Sequence, residues 1–152
     1  MRRVTTALIV MAATVAAAVA APGGGVVADD LALYNAAVGD AEARNRAALL
    51  AIAERDRPRA RAALAALREA FTALADRFGK SHILALKGEP DGVTIMVDVP
   101  MRIVTAQMMI DFGRPDVAAS SLLAVCRLLV SLHVPPDPSA SAACEADRPD
   151  RP

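Results

Sequence analysis

Aromatic residues are nearly missing from this chain, which has no tryptophan, one tyrosine (Tyr34) and three phenylalanines (Phe71, Phe78 and Phe112). Proteins that hold single-stranded nucleic acid stack bases on aromatic rings above a basic groove. Here the rings are too few, and 17 basic residues are matched by 17 acidic ones, so the reading is no nucleic-acid partner. Histidine is equally scarce, with His82 and His133 alone, and neither sits in a recognisable motif. The chain has no G-x-S-x-G turn, no H-E-x-x-H, no C-x-x-C and no haem-attachment C-x-x-C-H. Its one glycine run, Gly23-Gly24-Gly25, does not join a strand to a helix, so it makes no phosphate cradle. No catalytic residue, no metal site and no cofactor is assigned, and the chain is read as not an enzyme.

What the sequence does have begins with an address. Arg2-Arg3 is followed by an apolar run from Ala7 to Ala21, broken only by Thr14, and then by Pro22 and the three glycines. That order of basic start, apolar stretch and breaker is a secretory signal peptide. The small residues Val26-Val27-Ala28 place cleavage before Asp29, with Ala18-Val19-Ala20 as the competing site. The expected organisation is therefore residues 1–28 as a cleaved signal peptide, 29–134 as one helical domain, and 135–152 as a Pro/Ser/Ala-rich disordered tail. About 120 residues remain after cleavage, enough for a single core. Loss of Arg2 and Arg3 leaves 15 basic against 17 acidic residues. The expected location is periplasmic or secreted. Alanine and arginine abound while Lys80 and Lys87 are the only lysines, a bias that fits a bacterial origin.

Export brings the two cysteines, Cys126 and Cys144, into a compartment where disulfides form. Pro135-Pro136-Asp137-Pro138 lies between them and lets the tail turn back, so Cys126 and Cys144 are a candidate disulfide; the alternative is a buried thiol at Cys126. The arginines Arg55, Arg57, Arg59 and Arg61 cluster where one helix gives way to another. They form a candidate anion-binding group, because guanidinium forks grip carboxylates and phosphates. The alternative is a solvated surface balanced by Glu54, Asp56 and Glu69. Met96, Met101, Met108 and Met109, with Cys126, offer soft ligands to a metal or, more simply, fill gaps in a core.

Hydrophobic spacing predicts the architecture. Tyr34, Val38, Ala41, Asn45, Leu49 and Ile52 follow one helical face across Gly39-Asp40, as one kinked helix or two collinear ones. Asn45 on that face is either a buried, register-setting amide or, after a small shift of phase, exposed. Pro58 opens a second helix whose seam of Ala60, Leu64, Leu67, Phe71, Leu74 and Phe78 ends at Gly79. Beyond it the period changes. Ile83–Leu86 and the alternating Val93, Ile95, Val97 and Val99 predict a β-hairpin over residues 82–99, with a loop leading into a helix as the alternative. Pro100 then starts a helix ending at Gly113, and Pro115 opens the most apolar helix, whose narrow polar edge is Ser120, Arg127 and Ser131. Arg127 near its centre argues against a membrane span, so no stable span is expected after signal cleavage. Gly79 and Gly113 lie one tetratricopeptide period apart, but Gly39 is out of phase, and no family function is inferred.

The fold class expected is mainly α: an antiparallel bundle of about four helices with one small β-hairpin at most. The function expected is that of an exported protein-interaction or adaptor module of the bacterial envelope, with an envelope protein or a second copy of itself as partner. A binder of an apolar molecule, a lipid or a soft metal is the alternative. The two differ in what they require of the fold, since an adaptor needs a filled core and an apolar patch outside, whereas a binder needs a cavity near Met96, Met108, Met109 and Leu128.

Overall fold

A computed structural model of the chain describes residues 25–80 and 91–134. Four helices account for nearly all of them: α1 (Gly25–Ala53), α2 (Arg57–Phe78), α3 (Asp91–Asp111) and α4 (Pro115–Leu132). No strand occurs among the described residues. Contacts run in a ring, α1 with α2, α2 with α3, α3 with α4 and α4 with α1, so the helices form the four sides of an up-down-up-down bundle. The expected signal peptide, apart from Gly25–Ala28, and the expected tail lie outside the described residues.

Each helix is held by the face it buries. On α1 Tyr34, Val38, Ala41, Asn45, Ala48 and Ile52 are buried at alternating steps of four and three, the spacing of a coiled-coil seam. The α2 seam of Ala60, Leu64, Leu67, Phe71, Leu74 and Phe78 is buried from end to end. Alanines at Ala41, Ala48, Ala51 and Ala60 let these two helices lie close, and α1 continues unbroken through Gly39 and Asp40. It starts at Gly25, four residues before Asp29. On α4 Ala118, Leu122, Val125, Cys126, Leu129 and Leu132 face inward, while Ser120, Arg127 and Ser131 are exposed along the polar edge expected of them. This is the one described helix long and apolar enough to cross a membrane. It packs on α1 and α3 as a core helix does.

Two expectations need correction, and both concern α3. The valine-rich run that alternates like a strand is helical from Asp91 onward, which is the alternative reading and not the hairpin, and Pro100, expected to start a helix, lies well inside one. The other half of the expected hairpin, Ile83–Leu86, is outside the described residues. The physical reason is that a bundle needs a fourth wall. In a helix Ile95, Val99, Ile103, Ala106 and Ile110 all turn inward and are buried, and this tertiary gain outweighs the β preference of valine. Pro100 removes one N–H, so the carbonyl of Met96 loses its usual partner. The proline is on the exposed side of α3.

The two turns at one end of the bundle share a design. After α3, the N–H of Gly113 donates to the carbonyl of Ile110 (3.2 Å) and that of Arg114 to Met109 (2.7 Å), with Gly113 at φ 72°. This is a Schellman motif. After α1, Arg55 donates to Ile52 (3.0 Å) and Asp56 to Ala51 (3.0 Å), the same motif with an arginine at φ 57° in the left-handed position. Asp56 then caps α2 through its carboxylate, which accepts from the N–H of Arg59 (3.0 Å).

Two substitutions test these statements by thermal and urea unfolding. At Gly39 an added methyl meets nothing within 4 Å, so Gly39→Ala raises stability by about 0.5–1 kcal/mol, the usual cost of a mid-helix glycine. Arg55→Gly, by relieving a left-handed arginine, gains about 1 kcal/mol. A loss of stability in either variant contradicts the backbone described here.

Candidate functional site

The arginine group comes first because the sequence singles it out. Arg57 donates to the backbone carbonyl of Asp111 (2.6 Å), and Arg61 donates through Nε to the Asp111 carboxylate (2.8 Å) and again through Nη2. Arg59 pairs with Glu54. The Arg61 hydrogen bond holds the Asp111 carboxyl below its ordinary range. Two of the four arginines, Arg57 and Arg61, thus clip the start of α2 to the last turn of α3, where a cation also suits the negative end of the helix, while Arg59 stays within the α1–α2 turn on Glu54. Arg55 is the exception, and with Ile52, Arg57, Ile110 and Pro115 it lines a shallow depression of about 370 Å³ at this end of the bundle.

At the other end α1 is bound to α4. The Tyr34 hydroxyl donates to the carbonyl of Leu132 (2.9 Å), and its ring meets Phe78 of α2 edge-on at 5.4 Å. Asn35 donates to the carbonyl of Val134 (2.6 Å) and accepts its N–H (3.0 Å). Glu42 lies 3.2 Å from Nε2 of His133. Asn45, fully buried, donates to the carbonyl of Leu122 (3.1 Å). Of the two readings open for Asn45, the structure selects the buried amide, and it places His133 in an interhelical contact. Neither histidine motif nor spacing reveals that contact, because it joins residues 91 apart in sequence.

The soft ligands do not converge. Met96 and Met109 pack partly against the core, whereas Met101 and Met108 face outward. Met96 and Met109 are separated by roughly 20 Å of helix at 1.5 Å per residue. Among the described residues no group of three or more His, Cys, Asp or Glu side chains is arranged to hold a metal ion. Cys126 is buried on α4, and its expected partner Cys144 lies outside the described residues.

What the sequence reading passes over is the outer face of α3. Val97, Met101, Val104, Met108 and Phe112 follow one another at steps of four, three, four and four, all on the side opposite Ile95, Val99, Ile103 and Ile110. Their exposure is large for apolar side chains: 57% for Val97, 64% for Met101 and 73% for Phe112. A helix that is apolar on both faces is normally covered on both. The stripe borders a groove of about 700 Å³ between α2 and α3, with Leu64, Ala65, Ile103, Val104 and Met108 along its floor and Arg68, Glu69 and Asp76 on its rim. The signal was present in the sequence as an α3 with only four charged residues in 21, but the alternating valines drew it toward a strand. Comparison with protein-family models, with curated proteins and with solved structures finds no match.

The buried end of α1 gives a spectroscopic test. Burial raises the Tyr34 hydroxyl from 10.0 to about 12. Because the folded value lies above the unfolded one, the stability conferred by neutral Tyr34 is complete below pH 10 and is lost as pH rises through about 12. With one tyrosine and no tryptophan, ultraviolet titration reads this group alone. The folded chain titrates near 12 and the urea-unfolded chain near 10; equal midpoints would contradict the burial.

Proposed function

We propose that the chain is an exported, non-enzymatic interaction module of the bacterial envelope, and that the outer face of α3 is the surface it offers. The observation that carries this reading is the apolar stripe from Val97 to Phe112, turned away from a core that the inward residues already fill. A stripe of this kind loses free energy in water, at roughly 25 cal/mol for each Å² left uncovered, and contiguous exposed patches mark sites of association. Export is supported by Arg2-Arg3 and the apolar run behind it. In that compartment a bridge from Cys126 to Cys144 joins the tail to α4; it is supported by the lack of a free cysteine among the described residues, and a loop of that size is worth about 3 kcal/mol.

The second reading, a binder of a small apolar molecule or lipid, has one observation in its favour. The groove between α2 and α3 is within the size range of ligand pockets. It is open along its length, however, and the expected lining at Met96, Met109 and Leu128 packs on the core instead.

One experiment separates the readings. The chain is produced in its own host with a photoreactive methionine analogue at Met101, irradiated, and examined by mass spectrometry, with a native spectrum and non-reducing alkylation of the unmodified protein alongside. A protein adduct at Met101, no bound small molecule and no alkylated cysteine are the expected results. Small-molecule mass lost on denaturation, with no protein adduct, transfers the assignment to a ligand binder.

A further inference from the structure

We infer that the occupant of the α3 face is a second copy of this chain, paired through a two-fold axis that sets α3 antiparallel to α3 of its partner. The inference rests on the interaction-module reading and adds the identity of the partner. The first argument is the order of side chains in the stripe. Valine and methionine alternate at positions 97, 101, 104 and 108, so an antiparallel pair centred between Met101 and Val104 sets every methionine against a valine: Met101 against Val104 and Met108 against Val97. Large meets small in each layer, as close packing between helices requires. A parallel pair would stack methionine on methionine and valine on valine.

Charge supplies the second argument. With the two-fold axis across α3, each α2 faces the α2 of the other copy, also antiparallel. Arg68 and Asp76 are both exposed on the groove rim, eight residues apart on one side of α2. None of the ion pairs among the described residues uses either of them. Reversal of one α2 against the other brings the Arg68 end of each copy to the Asp76 end of its partner, giving two symmetric ion pairs. Beside the stripe lie the uncharged Thr105 and Gln107 together with Asp98 and Arg102, which are of opposite sign, so no block of like charge lies along it. Without Arg2 and Arg3 the exported chain has 15 basic against 17 acidic residues, a net charge small enough that little repulsion opposes self-association.

Area is the third. The exposed parts of the five stripe residues amount to roughly 500 Å² per copy, so a pair buries about 1,000 Å² before the groove rims are added, which is the lower bound for a specific interface. The expected association is therefore in the micromolar range rather than obligate. The bundle core is complete in one copy, and dimer formation covers a face instead of building one.

Sedimentation equilibrium on the chain purified from its own host, at about 1–200 µM, tests this. A reversible dimer is expected. Met101→Glu abolishes it in that range while leaving the circular-dichroism melt unchanged, since the side chain is mostly in solvent. Arg68→Asp and Asp76→Arg each weaken the dimer by about tenfold or more, and the double exchange restores it to within roughly threefold of the wild type. Restoration is the decisive result, because a structural role for either residue cannot produce it. A monomer throughout, a dimer indifferent to Met101→Glu, or a double exchange that stays weak would each overturn the proposal. If the monomer still yields an adduct of a different protein at Met101, only the choice of partner fails. If no protein adduct forms either, the interaction-module reading falls with it.

Discussion

The bundle depends on closing α4 against α1, the two helices farthest apart in the chain, and that closure is polar as well as apolar. The last carbonyls of a helix have no partners within it. Here α1 supplies them: Tyr34 donates to Leu132, Asn35 serves both backbone groups of Val134, and Glu42 meets His133 just beyond the helix end. Asn45 makes a like contact about three turns further along, at the carbonyl of Leu122. An apolar seam alone tolerates sliding by a turn. Three side chains that require particular backbone atoms, with Glu42 on the His133 ring as a fourth contact, do not, so this row fixes the axial register of α4 and, through it, that of α3. The cost is that Asn45 is wholly buried with its carbonyl oxygen unpartnered among the described residues, a penalty retained for register.

Much of this architecture is legible in the order of residues because it rests on local rules. The α2 seam with Pro58 at its start and Gly79 at its end needs nothing beyond periodicity and capping. The Gly113–Pro115 turn and the polar edge of α4 are read in the same way. The α1–α4 row is a different matter. Tyr34 and Asn35 pair with residues 98 and 99 positions away, and no spacing rule reaches so far. For the same reason the arginines of the first turn are visible as a cluster, while their partner, Asp111, is not. The sequence shows donors near a helix end; only the packing of one hairpin against the other shows that the last turn of α3 receives them.

The ambiguity of α3 in the sequence has a physical origin. Period-two alternation separates a strand from a helix when one face is buried and the other polar. In α3 neither face is polar, so valine and isoleucine at positions 93 to 99 satisfy both templates at once. Ile95 and Val99 are buried, and Val97 between them points to solvent. A run that fits two periods is itself informative, because a bundle wall with one neighbour on each side needs apolar residues on about a third of its circumference. The excess on α3 is not explained by the fold of one chain, and that is why the functional reading rests there and not on the arginines or methionines.

The rest of the molecule is arranged so that this face stays in place. One end of the bundle is tied by Tyr34 against Phe78 and Leu132, the other by Arg57 and Arg61 against Asp111. The first tie involves α1, α2 and α4 and the second joins α2 to α3, so every helix is held at an end. Between the ties α2 and α3 part enough to leave the groove of about 700 Å³, and the exposed stripe runs along its margin. The left-handed Arg55 belongs to the same arrangement. Glycine would relieve the turn, as Gly113 does at the matching turn after α3, but Arg55 lines the depression at this end with Ile52 and Ile110. Strain of about 1 kcal/mol in a three-residue connection is small beside the burial of four helices. The frame therefore accommodates it, and α3 continues as one helix through Pro100, which keeps the apolar stripe on a single element.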